Sequence, residues 1–591
     1  MKKTNVFMTF IKMLPKMWRV SPGGLSAWQI SEIIHGTAFG LTVPVTQIFL
    51  DRATDFAFQR SGFSAVVFWL AILGSAHMVK QALNGIANFM EHTFFLKAEG
   101  VLSLELHEKM NRIAPVCFED TKILDDMNKA VQGKNDAVWF TEYVLTIFTF
   151  YTPFFVVMGV YLYHIKPLLL LSLALVFVPV LLTQILKTKV FAKAEDLSAP
   201  IRREFDYYET CMTSREYFKE TRILGAFSYF RKLYYDSLWV INRLRFRAAV
   251  KADLAKFAVK LLSLGGHVGI FLLLLDSLLK GDISAGAFAA VFSSISQMFW
   301  LMNECICDRL GAAARDFGRV RNYFRFLQMP ERGGADEEIP TDADITLSGV
   351  SFAYPGAERK AVDGVTLTLK NGETIAVVGE NGSGKSTLVR LITGIYSPDE
   401  GEVFYGGINT KNASALSIFK RTSAVFQKYQ RYQMNLRENI GISDVNTAKS
   451  DAGLDEICVQ AGVDKMDGSF TDGYETMLSR EFDGVDLSGG QWQRVAIARS
   501  FFRGHQFIVL DEPTAAIDPI EETRIYNRFA EISKDKTAII VTHRLGSVKL
   551  ADRILVMKNG QLAEQGVHAD LMAADGEYAR LYRSQEQWYV S

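Results

Sequence analysis

The chain has 591 residues, too many for one ordinary domain, and 65 basic residues balance 65 acidic ones, an even charge that argues against a nucleic-acid binder. Hydrophobic residues make up 49% of it, unevenly spread. Before about residue 305 they gather in blocks near the roughly 20 residues that cross a bilayer, and after about residue 343 they come in short strand-sized runs.

The opening segment, Met1 to Val20, has Lys12 inside its apolar run and no small-residue cleavage site after it. It therefore reads as an interfacial helix over 1–25 and not as a signal peptide. Six apolar blocks follow: Ile30 to Leu50, Phe63 to Leu83, Tyr143 to Tyr163, Pro167 to Leu186, Phe257 to Leu275 and Ala285 to Leu301. A single block could be a buried core helix, but six in succession predict an all-α polytopic membrane domain over 26–328, with six transmembrane helices. Glu32 and His35, His77 and Lys80, and Lys260 and His267 interrupt the first, second and fifth blocks. Such groups face protein or a wet cavity, although Glu32 and Lys80 also fit side chains reaching for the interface.

Basic residues orient the spans. With a cytoplasmic N-terminus, the outer loops carry only Arg52, Arg60, Lys166 and Lys280, whereas the stretch from Lys187 to Lys256 is rich in Lys and Arg. The positive-inside rule then places both long connections, about 87–140 and 187–255, and everything after the last span in the cytoplasm of a multi-pass cell-membrane protein. Poor in Gly and Pro, these connections read as helices continuing beyond the membrane, where an arm of about 20 residues reaches roughly 30 Å. Cys117, Cys211, Cys305, Cys307 and Cys458 form no Cys-x-x-Cys pair and fall mainly on the cytoplasmic side, as free reduced thiols do.

"MPERGGADEEIPTD", residues 329–342, reads as a linker, and 343–591 reads as an α/β domain. In it the buried strand "ETIAVVG" runs into "GENGSGKST", Gly379 to Thr387, and then into the helix "LVRLITGIY". This is Gly-x-x-x-x-Gly-Lys-Ser in the strand-to-helix context it requires. Gly379, Gly382 and Gly384, with Asn381 and Ser383 between them, let backbone amides close on a phosphate. Lys385 supplies charge to the β- and γ-phosphates, and Ser386, followed by Thr387, offers a hydroxyl to Mg²⁺. A second strand, "FIVLDEPT", presents Asp511 and Glu512 at the end where ligands sit in open α/β sheets. Asp511 suits Mg²⁺, and Glu512 suits orienting and deprotonating a water.

On these motifs the C-terminal half resembles the nucleotide-binding domain of the ATP-binding cassette (ABC) family. The whole chain is similar to a half-transporter of the exporter type, an all-α membrane domain followed by an α/β P-loop NTPase domain. The resemblance implies roles by position. Tyr354 in "SFAYPG" would stack on adenine, and Gln427 in "SAVFQKYQ" would contact Mg²⁺ or the attacking water. His543 in "IIVTHRL" would contact the γ-phosphate, and Asp518 in "TAAIDP" would sit in a loop crossing to the opposite cassette. "LSGGQ", Leu487 to Gln491, matches the signature, whose Ser488, Gly489, Gly490 and Gln491 would cap ATP bound by another subunit. One phosphate loop and one signature cannot complete a site in one cassette, so the resemblance implies ATP, Mg²⁺ and a second half-transporter, expected to be an identical chain.

It also implies coupling segments near 117–126 and 207–216 that dock on the cassettes, the second on the partner's. Where many exporters carry a Glu-rich loop before the signature, this chain has "TMLSREFDGVD", Thr476 to Asp486. No cysteine-protease domain is expected before the first span. "QKYQRYQMNLRENI", Gln427 to Ile440, is similar to a region of some bacterial lantibiotic and peptide exporters. The expected function is ATP-driven export of a peptide, lipid or amphipathic small molecule. Import of a siderophore-like cargo on the same architecture and a non-transporting, ATP-gated membrane ATPase are the alternatives.

Overall fold

The structure, a computed structural model, describes residues 6–340, 342–447, 450–464, 468–511, 519–534, 536–542 and 547–590. It divides into two compact units: Met1–Lys109 with Asp126–Gln328, and Met110–Asp125 with Met329–Ser591.

Among the described residues, every element of the first unit is a helix. Pro22–Ala57, Phe63–Arg112, Pro167–Thr213 and Phe227–Leu279 run 36, 50, 47 and 53 residues. They continue well past the apolar blocks, as the scarcity of helix breakers in the connections predicts. Five helices among the described residues are long and apolar enough to cross a membrane, and these contain five of the six expected blocks. The other block, from Pro167, opens the helix Pro167–Thr213. Outward faces of these helices expose Phe68, Met78, Phe89, Val156 and Leu272, an apolar surface that in water would be a liability and in a bilayer is the solvated face.

The first helix, Val6–Val20, buries Phe10, Met13 and Met17 while exposing Phe7, Ile11 and Trp18. Two π-helical turns interrupt the later spans. Ile147–Tyr151 lies between Thr121–Thr146 and Thr152–Ile165, and Glu304–Leu310 lies between Ala285–Asn303 and Gly311–Leu327. Gly36 lets the helix Pro22–Ala57 close on the first π turn, because a Cβ there would stand 2.3 Å from the Phe150 carbonyl oxygen. Cys117, Cys211, Cys305 and Cys307 are free thiols, and the Cys458 sulfur accepts from the Tyr474 hydroxyl at 3.8 Å.

The second unit is α/β and contains ten strands among the described residues: β1 (Ile345–Phe352), β2 (Val362–Leu369), β3 (Thr374–Val378), β4 (Glu400–Tyr405), β5 (Ile408–Asn409), β6 (Thr422–Val425), β7 (Phe507–Asp511), β8 (Thr537–Val541), β9 (Arg553–Lys558) and β10 (Gln561–Gly566). β2-β1-β4-β5 form an antiparallel sheet, and β10-β9-β3-β8-β7-β6 form a second sheet, parallel except for β10 at its edge. Central β7 and β8 are buried along their whole length and apolar over 507–510 and 538–541, whereas β10 alternates between exposed and half-buried residues. One core joins both sheets to the helix Lys385–Ile392 through Leu388, Val389, Leu391 and Ile392. That anchoring fixes the loop that precedes the helix.

Residues 329–340 of the expected linker pack on this unit. Arg332 donates to the Gly394 carbonyl at 2.6 Å, Ala335 exchanges backbone hydrogen bonds with the 412–414 segment, and Ile339 joins the core. The turn Pro115–Glu119 also belongs here, with Val116 packed against the same core. The other expected coupling segment, 207–216, ends the helix Pro167–Thr213 in the first unit.

Candidate functional site

The phosphate loop connects β3 to the helix Lys385–Ile392. It turns through left-handed backbone at Gly379 (φ 147°), Gly382 (φ 80°) and Gly384 (φ 101°). A Cβ would stand 2.2 Å from the Met557 carbonyl oxygen at Gly379 and 2.3 Å from that of Ala361 at Gly384. Both the conformation and the space therefore demand glycine. Lys385 is buried, and its ammonium donates to the Gly379 and Glu380 carbonyls at 2.9 and 3.0 Å, folding the side chain over its own loop. Asn381 is exposed at the crest, and Ser383 is buried with its Oγ lacking a hydrogen-bond partner among the described residues. A buried hydroxyl without a partner inside a glycine cradle fits an anionic group that brings its own acceptors, and a nucleotide phosphate supplies them.

Asp511 ends β7 buried at 4% exposure, and its Oδ1 lies 3.3 Å from Ser386 Oγ. The two motifs, far apart in sequence, meet here because β3 and β7 both flank β8 in parallel, so their C-terminal ends share one edge. Val425 of β6 pairs with Leu510, which puts Gln427, exposed two residues further on, at the same sheet end. A hydroxyl, a carboxylate and an amide oxygen form the hard-oxygen set that suits Mg²⁺. Glu512, Asp518 and His543 lie outside the described residues.

Tyr354 is half-buried after β1. Its hydroxyl is 3.0 Å from Thr387 Oγ1 and accepts from Arg390 Nη1 at 2.8 Å, and its ring stands edge-on to Phe352 and Tyr396. Arg390 also donates to Tyr396 at 3.2 Å, and Tyr396 in turn donates to Glu119 on the turn Pro115–Glu119 at 2.6 Å. Burial and the Glu119 carboxylate push the Tyr396 phenol well above its usual range, so it stays a donor. Sequence motifs did not reveal Arg390, Tyr396 and Glu119. The one available signal was Arg390 standing four residues after Ser386, on the same helix face.

The signature opens the helix Gly489–Phe502 with a reciprocal capping box. Ser488 Oγ accepts from the Gln491 amide at 3.3 Å, and Gln491 Oε1 accepts from the Ser488 amide at 2.8 Å. Gln491 Nε2 donates to Ser469 Oγ at 2.9 Å, so this side chain serves the turn. Tyr429, two residues beyond Gln427, donates to the Gly489 carbonyl at 2.8 Å. The half-buried glycines leave a helix N-terminus whose backbone amides can approach an anion closely.

A helical unit with membrane-length apolar spans joined to a P-loop domain that binds and hydrolyses ATP defines the class: an ATP-driven membrane transporter. Comparison with known proteins narrows it. Residues 362–515 match the ABC transporter family. The chain is 27% identical over 529 residues to the subtilin transport ATP-binding protein SpaT of Bacillus subtilis, covering 88% of this chain and 85% of that one. It is 35% identical over 243 residues to the nisin transport ATP-binding protein NisT of Lactococcus lactis subsp. lactis, covering 41% and 40% of the two chains. With the ATP-dependent lipid A-core flippase of Dechloromonas aromatica (strain RCB) identity is 31% over 376 residues, covering 62% and 63%. The fold matches a solved bacterial Atm1-family ABC exporter with ATP bound at a TM-score of 0.77 and 19% identity, over 96% of this chain and 98% of that one. Over most of its length the chain is similar to ABC transporters of the exporter type, with one membrane domain followed by one nucleotide-binding domain.

Proposed function

We propose that two copies of this chain form an exporter, with the N-terminus and cassettes in the cytoplasm, and that ATP drives a peptide or other amphipathic cargo outward. The observation that carries the reading is the cradle at Gly379–Thr387 with Ser386 and Asp511 side by side. A peptide cargo is favoured because two relatives are named for the transport of subtilin and nisin.

In this reading Tyr354 stacks on adenine. The loop amides and Lys385 hold the β- and γ-phosphates, with Gly379, Asn381, Gly382, Ser383, Gly384 and Thr387 shaping the cradle. Ser386, Asp511 and Gln427 would hold Mg²⁺, which supplies charge neutralisation on the phosphate oxygens. Glu512 orients a water for attack on the γ-phosphorus and accepts its proton, and His543 contacts the transferred group. Ser488, Gly489 and Gly490, with Gln491 closing their turn, and Asp518 face the nucleotide of the other copy. ATP then closes the cassettes, and hydrolysis releases them.

The test uses the purified chain alone in lipid nanodiscs. ATP should convert it to a closed homodimer that hydrolyses ATP with two active sites, and Glu512→Gln should hold that dimer closed. A chain that stays monomeric and inactive until a different gene product is added overturns the homodimer. Vesicles sealed in each orientation test direction, with cargo accumulating only where the cassettes face the ATP.

A further inference from the structure

The first unit contains a polar recess of about 230 Å³ among its helices. Four carboxylates line it, Glu32, Glu91, Glu142 and Glu304, against two permanent cations, Lys80 and Arg309. Both cations are already engaged. Arg309 Nη1 donates to Glu142 Oε1 at 2.5 Å and its guanidinium lies 3.8 Å from Glu304, while the Lys80 ammonium sits 4.5 Å from the centre of the Phe39 ring. His35 Nδ1 is 3.9 Å from Glu32, and both side chains are buried.

Glu142 is the most informative group. It is 1% exposed, and its Oε1 takes hydrogen bonds from Arg309 and from Thr146 at 3.1 Å, yet its Oε2 is buried with no hydrogen-bond partner among the described residues. A buried carboxylate oxygen left without a donor costs stability, and a ligand that brings an N–H removes that cost. An anion would find the reverse: engaged cations and an excess of negative charge.

Asn88 and Glu91 also line a second, adjoining recess of about 540 Å³, which adds Glu99 and His92 together with the rings of Phe95 and Trp139. Those rings meet edge to face at 4.8 Å and form an apolar wall beside the carboxylates. The polar recess is walled by both π turns, through Phe150 and Tyr151 of the first and Glu304 and Arg309 of the second. Ionisable residues retained among membrane helices mark functional positions, and aromatic faces beside carboxylates suit an organic cation.

We propose that these two adjoining recesses together form a binding site for cationic amphiphiles, with an ammonium or guanidinium group held by Glu142 and Glu91 and an apolar body against Phe95 and Trp139. The proposal rests on the export reading, since it assigns the chemical class of the cargo. A basic peptide side chain and a small aromatic amine share this chemistry.

The test measures equilibrium binding to the full chain in nanodiscs, corrected against empty nanodiscs, with naphthylethylamine and naphthylacetate as ligands of matched body and opposite charge. The amine should bind about tenfold or more tightly than the acid, and Glu142→Gln should reduce that preference by about tenfold. Glu91→Gln makes the same test should Glu142→Gln fail to fold, and Glu91→Asp should retain the preference. Equal affinities, a preference for the acid, or a preference unchanged in the folded variants overturns the site. A lysine-rich amphipathic peptide that displaces the amine, where its glutamate counterpart does not, assigns the cation to peptide cargo. Displacement by small amines alone assigns it to a small molecule and leaves the site standing. ATP hydrolysis by the same preparation keeps the two readings apart: an active ATPase without cation preference overturns this inference alone, and an inactive chain with the preference intact overturns the export reading alone.

Discussion

The phosphate loop of the cassette and the carboxylate recess of the membrane unit are both built to meet charge, by opposite means. Nine consecutive residues, Gly379 to Thr387, make the first, and its decisive parts are backbone: left-handed glycines, turned amides and a lysine folded onto its own carbonyls. Single side chains from separate helices make the second, with Glu32, Glu91, Glu142 and Glu304 each contributed by a different stretch of chain. A site made of backbone needs a fixed local order and so appears as a motif. A site made of dispersed carboxylates needs only that packing bring them together, and many sequences satisfy that requirement.

The contrast can be broken most directly at the cassette. Glu512→Gln should lower ATP turnover on the order of 10² or more while leaving ATP bound, and Lys385→Ala should instead weaken nucleotide binding. Nucleotide affinity by equilibrium titration and single-turnover hydrolysis separate the two defects. Equal affinity in wild type and Lys385→Ala would count against the phosphate-loop assignment, and the recess would then be the better-founded of the two sites.

A second measurement sharpens the contrast through burial. His505, just before β7, is buried with Nδ1 2.8 Å from the Arg503 carbonyl, and burial pushes it down to about 4. The unfolded chain protonates near its ordinary value of about 6.5, so between that value and the folded one the unfolded state binds the extra proton. Stability contributed by the neutral histidine is therefore lost as pH falls through this window, by about 2 kcal/mol at about pH 5. Replacing His505 with Leu should flatten the acid loss by that amount in hydrogen exchange of β7 and β8 amides. An unchanged slope would assign the cassette's acid sensitivity to other groups.

The smallest effect is expected at Glu119, which is partly exposed. Glu119→Gln removes the charge from its hydrogen bond with Tyr396, two bonds away from Tyr354 through Arg390. Loss of about 1 kcal/mol there should raise the KM for ATP by a few-fold with little change in kcat. A kcat effect with KM unchanged would show that the chain of contacts bears on turnover and not on seating the nucleotide.

What was legible from the chain alone follows the same physical division. Membrane-length apolar blocks, the strand-to-helix phosphate loop, the Asp511 strand and the Ser-Gly-Gly-Gln turn are local patterns, and the family and its ATP chemistry could be read from them. Tertiary structure decided what local pattern leaves open. Parallel pairing of β3, β8 and β7 brought Ser386 to Asp511 across more than a hundred residues. Packing also decided where described residues between 329 and 340 lie, because Ile339 had an apolar core to enter and Ala335 a backbone to pair with. It also separated polar residues that looked alike in sequence. Glu32, His35 and Lys80 line the recess, whereas His77, three residues from Lys80, is exposed and bonds to the Leu73 carbonyl of its own helix. Helical periodicity places residues on a face, but only the neighbouring helices determine whether that face meets lipid, protein or a cavity.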